Sequence, residues 1–125
     1  TGCFREPLFA MYLTRQTGPP GQTLRYDALV QNRDNLDCPA SDFTLTSSLP
    51  AALTQKSFIR NLPSRVGQEA TTVRLEPGAS AHIGIDVTSA AGAPTGGQQF
   101  TETITHRGQP SYSKTIAATY TVKSS

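Results

Sequence analysis

The chain contains no tryptophan and only two histidines and two cysteines in 125 residues. Without indole, the broadest ring on which sugar faces or unpaired bases stack is missing. Two histidines with two cysteines fall short of the three or four ligands that a zinc centre needs, at any recognisable spacing. Neither His82 nor His106 lies beside a nucleophile elbow or another motif that would hold a serine or cysteine against a base. The reading is therefore that the chain is not an enzyme, with both histidines at exposed or rim positions. Charge is scarce too: 11 basic and 9 acidic residues leave a net +2, scattered along the chain. That is too little to predict a nucleic-acid partner. No run approaches the roughly 18 apolar residues of a membrane span, so no membrane partner is expected. Long stretches of Ala, Leu, Glu and Lys at a 3.6-residue period are also absent, which removes helix as a main element.

What remains is a pattern of short alternating runs broken by ten glycines and nine prolines. In Gln22 to Gln31, the residues Leu24, Tyr26, Ala28 and Val30 fall two apart, so one face of an extended segment is apolar. Phe43 and Leu45 repeat the pattern in Asp42 to Ser48, and Ala81, Ile83, Ile85 and Val87 do so in Ala79 to Thr88. Phe100 to His106 and Lys114 to Val122 flank the turn Arg107-Gly108-Gln109-Pro110 and are expected to form a hairpin. Pro7 to Leu13 and Thr71 to Leu75 add two more strands, and Thr54 to Ile59 a weaker one. About seven or eight short strands with no helical stretch between them predict a single all-β domain over residues 1–125: an immunoglobulin-like antiparallel β-sandwich. At this length one core suffices.

Two cysteines are compatible with one disulfide or with two buried free thiols. A Cys3–Cys38 bond is the expectation. It would close a loop of about 36 residues, worth roughly 3 to 4 kcal/mol on the chain-entropy model. Such a bond implies an oxidising compartment and hence a secreted or extracellular protein.

The order of features resembles the immunoglobulin-like accessory modules of secreted bacterial hydrolases, the type found beside gametolysin-like metallopeptidases and glycoside hydrolases. The residues that carry the likeness are Cys3 ahead of a strand, Gly21-x-Thr23-Leu24-x-Tyr26, Asn32-x-Asp34, Cys38 before Phe43-x-Leu45, Leu49-Pro50, Leu75-x-Pro77-Gly78-Ala79-Ser80, and two final Thr-rich strands. Leu53 stands where such modules often carry Trp, and the segment Lys56 to Ala70 is longer than usual. The resemblance implies a non-catalytic module that spaces, stabilises or targets an adjacent catalytic domain. It supplies no functional residues of its own. The chain begins abruptly at Thr1-Gly2-Cys3, as a cut-out or processed module would.

Three local sites bear on a ligand. Asn32, Asp34, Asp37 and Asp42 sit in one connection and carry the oxygens a structural calcium ion would want, although the spacing is not that of an EF-hand and such residues more often make Asx turns. No other cofactor is expected. Phe58 and Tyr112 are aromatics not committed to the core, and Arg60 and Arg65 lie near Phe58. Together they are the candidate contacts for a polysaccharide, the alternative to a pure spacer role. Glu102 is the polar residue out of place: strict alternation with Phe100 and Ile104 turns it into the core, where an unpaired carboxylate is costly. A bulge, an edge position, or an arginine such as Arg25 or Arg74 is the expected escape.

Overall fold

A computed structural model describes residues 2–60, 68–69 and 71–123. Among these, ten strands form two five-stranded sheets: β1 (Leu8–Tyr12), β2 (Arg15–Gly18), β3 (Thr23–Gln31), β4 (Ser41–Ser48), β5 (Leu53–Arg60), β6 (Gln68–Glu69), β7 (Thr72–Leu75), β8 (Ser80–Ser89), β9 (Gly96–His106) and β10 (Ser113–Val122). The first sheet has the order β1-β3-β8-β5-β6 and the second β2-β10-β9-β4-β7. All pairings are antiparallel except β2 with β10. This is the expected immunoglobulin-like sandwich, including the hairpin of β9 and β10.

The strand count exceeds the expectation because two strands carry no hydrophobic signal. β2 is Arg-Gln-Thr-Gly, without a large apolar residue, and backbone pairing with β10 holds it, with Thr119 opposite Arg15 through to Val122 opposite Gly18. The N-terminal run thus divides between the sheets. Leu13 makes the break with φ of 51°, left-handed backbone that a non-glycine residue seldom adopts. β6 is a two-residue pairing with Phe58 and Ile59.

The core follows from alternation. Tyr26, Ala28 and Val30 of β3 and Ile83, Ile85 and Val87 of β8 face Phe43, Leu45, Phe100, Ile104, Tyr120 and Val122 of the second sheet. Tyr26 packs edge-on to Phe100 with centroids 5.2 Å apart. The two buried tyrosines also bond across the layers. Tyr26 Oη donates to Thr119 O at 2.8 Å and Tyr120 Oη to Gln22 O at 2.5 Å, so each phenol leaves its apolar ring inside and satisfies its hydroxyl on backbone across the layers, in β10 and in the turn before β3. Burial pushes the Tyr26 phenol up to about 12.

Candidate functional site

The polar chemistry of the domain collects at two places along β9, and both are inward. At one end, Asn32 and Asp34 lie in the connection after β3. Asn32 Nδ2 donates to Leu75 O at 2.8 Å, and its Oδ1 accepts from Asp34 N at 2.8 Å, an Asx turn. Asp34 is itself buried. Its Oδ1 accepts from Arg5 N at 2.9 Å and its Oδ2 from Ser41 Oγ at 3.0 Å, while His106 Nε2 stands 3.0 Å from both oxygens. Gly108 N–H donates to His106 Nδ1 at 3.0 Å, which leaves Nε2 to carry the ring proton toward Asp34. Phe4 and Phe43 meet the imidazole edge-on at 4.6 and 4.8 Å. The Cys3–Cys38 disulfide, with Cα atoms 5.8 Å apart, closes the same corner and holds Phe4 and Arg5 against it.

This arrangement corrects the rim position expected of His106. His106 is completely buried rather than at the rim, because the alternation that turns Phe100, Glu102 and Ile104 inward continues one step further. The calcium donors do not converge. Asn32 and Asp34 are occupied by the turn and by His106, Asp37 is exposed, and Asp42 pairs with Arg74 at 3.2 Å. Among the described residues no group of three or more His, Cys, Asp or Glu side chains is placed to hold a metal ion.

The second place is Glu102, opposite Ser47 on β4. It stays inward and fully buried, without a bulge and, among the described residues, without an arginine: Arg25 pairs with Asp86, and Arg74 with Asp42. Its partners are neutral. Ser47 Oγ donates to Glu102 Oε1 at 2.6 Å and Gln55 Nε2 donates to the same oxygen at 3.0 Å. Gln55 Nε2 also reaches Ser47 Oγ at 2.7 Å and Ser57 Oγ at 3.1 Å. Burial raises the Glu102 carboxyl above its ordinary range, and the bonds from Ser47 and Gln55 oppose that only in part. A cleft of about 430 Å³ adjoins the group, lined by Leu45, Leu49, Lys56 and Thr71 together with Ser47, Gln55 and Ser57.

Of the proposed sugar contacts, the two described side chains, Phe58 and Tyr112, lie on different sheets' elements. Phe58 is half-exposed on the outer face of β5, with the Arg25 guanidinium 5.6 Å from its ring centroid. Gly84 makes room for that arginine, since a Cβ there would lie 2.8 Å from Arg25 Nη1. Tyr112 belongs to the turn between β9 and β10 in the other sheet, its backbone bonded to Gln109 and His106. Arg60 ends β5 with its backbone opposite His82. Its side chain, and Arg65 entirely, lie outside the described residues.

No family model and no curated protein matches the chain. Solved structures do match. A family 123 glycoside hydrolase from Clostridium perfringens shares 11% identity at a TM-score of 0.72, over 97% of this chain and 28% of that one. The major pilin subunit of Bacillus cereus shares 14% at 0.68, over 94% and 41%. The E. coli alpha-2-macroglobulin shares 14% at 0.64, over 95% and 7%. At these identities the likeness shows the fold: an immunoglobulin-like sandwich of the kind that occurs as one domain of larger proteins. The chain spans well under half the length of each of these matches.

Proposed function

We propose that this chain is a non-catalytic accessory module of a larger secreted protein, where it spaces, stabilises or targets an adjacent catalytic domain. The observation that carries the reading is where the chemically capable side chains are used. Asp34, His106 and Glu102 are buried and bonded to groups within the sandwich, and the two cysteines are bonded to each other, so they serve the scaffold. A disulfide fits an oxidising, extracellular setting, and domains of this fold occur within longer chains. The polysaccharide-binding alternative draws less support, because Phe58 is covered by Arg25 and Tyr112 lies in the turn between β9 and β10 of the other sheet.

The test uses the full-length protein and its deletion of residues 1–125. An accessory module leaves the neighbouring domain's turnover intact. Its removal lowers that domain's melting temperature, or shortens the particle in small-angle scattering by about 35 Å, the length of an eleven-residue strand. The isolated module should show neither turnover nor retardation in affinity gels of cellulose, chitin or xylan derivatives. Retardation by one polysaccharide that Phe58→Ala abolishes without loss of folding would replace the spacer reading by the glycan one.

A further inference from the structure

Two buried side-chain atoms among the described residues have no hydrogen-bond partner, and they belong to neighbouring groups: Gln55 Oε1 and Glu102 Oε2. Both are acceptors when Glu102 is ionised, and each buried acceptor without a donor costs about 1–3 kcal/mol. The other atoms of the same two groups are already joined, Gln55 Nε2 donating to Glu102 Oε1 at 3.0 Å. A planar amide bonded by its nitrogen to one oxygen of a planar carboxyl brings its own oxygen toward the second carboxyl oxygen. One proton on Oε2 then serves both orphaned atoms.

We infer that Glu102 is a neutral carboxylic acid in the folded protein, its proton donated from Oε2 to Gln55 Oε1, so that a closed acid–amide ring links β9 of one sheet to β5 of the other. Ser47 Oγ–H, donating to Oε1, completes the set of partners. The groups facing Glu102 are neutral: Ser47 from β4, and Gln55 and Ser57 from β5. The charged side chain lining the adjoining cleft is Lys56, at an exposed position. Among the described residues no cation is thus bonded to the carboxyl to favour its ionised form.

The ring is an alkali-sensitive latch between the layers. The folded form holds a proton that the unfolded chain releases once pH exceeds the usual carboxyl range. Stability from the latch is therefore complete below that range and is lost as pH rises through the raised folded value. Over that interval the unfolding equilibrium constant climbs by up to about tenfold per pH unit.

Two measurements on the intact module test this. Urea unfolding from pH 4 to pH 9 should show the wild-type midpoint falling relative to that of Glu102→Gln, whose amide closes the same ring without titrating. Parallel profiles for the two proteins would overturn the inference. Carbon-13 resonances of labelled glutamate side chains, assigned through Glu102→Gln, should place the Glu102 carboxyl in its protonated form at neutral pH. A carboxylate signal there, as expected if a buried water instead donates to both orphaned oxygens, would equally overturn it. The spectroscopic arm can follow the wild type alone: a glutamate carboxyl still protonated at neutral pH supports the latch even if the variant fails to fold, and its absence sinks it.

Discussion

Glu102 and His106 stand four residues apart on the same face of β9, yet the polar clusters they anchor are built on opposite plans. Around His106 every group is matched by a partner of complementary character: Asp34 accepts from a backbone amide, a serine and the imidazole, and the imidazole in turn accepts from Gly108. Around Glu102 the partners are a serine and an amide, and one acceptor on each of the bonded pair, Gln55 Oε1 and Glu102 Oε2, is left without a donor. A buried carboxyl with ample donors acts as a strut. One with too few donors keeps its proton and so becomes responsive to pH.

That contrast can be broken at the Asp34 end first. Asp34→Ala strips His106, Ser41 and Arg5 of their common acceptor in the core and should cost about 3–5 kcal/mol, read from the urea midpoint. A cost near 1 kcal/mol would mean that this cluster is no better built than the other. Next is the covalent closure of the same corner: the double variant Cys3→Ser, Cys38→Ser should lose about 3 kcal/mol in guanidinium unfolding. Phe58→Ala, on the outer face and away from both clusters, should cost only about 1 kcal/mol, from a half-buried ring and its arginine contact. Smallest of all, Glu102→Gln should lie within about 0.5 kcal/mol of wild type at pH 4, where both side chains are neutral. The variant then becomes the more stable of the two as pH rises, since only the wild type must give up a proton. A loss at pH 4 as large as that of Asp34→Ala would erase the distinction between the two clusters.

Where burial writes the sequence, the sequence was readable. Tyr26, Ala28 and Val30, or Ile83, Ile85 and Val87, announce their strands because a period of two is what a half-buried strand requires. β2 is not legible because Arg15 to Gly18 joins its sheet through backbone pairing, which leaves no mark in side-chain identity. The polar clusters were half visible. Alternation put Glu102 inward, and the same count continued to His106 would have put it there too; the rim reading arose from treating histidine as a polar residue at a strand end. The partners could not be read. Asp34 lies 72 residues from His106, and Gln55 lies 47 from Glu102, distances along the chain that only the stacking of the sheets brings together. The Asx turn of Asn32 was legible because it is local, two residues from its partner, whereas the calcium alternative depended on convergence that composition does not encode.

The Cys3–Cys38 bond also decides how the domain would behave under tension. A pull transmitted from the N-terminal side reaches Cys3 and crosses directly to Cys38, so β1, β2 and β3 lie in a covalent bypass and bear none of the load in series. The stretch from Cys3 to Cys38, a sequence separation of 35, is withheld from stretching, about 120 Å of contour at the extended rise per residue. Reduction would release that slack, making the oxidised module a short tether and the reduced one a long one.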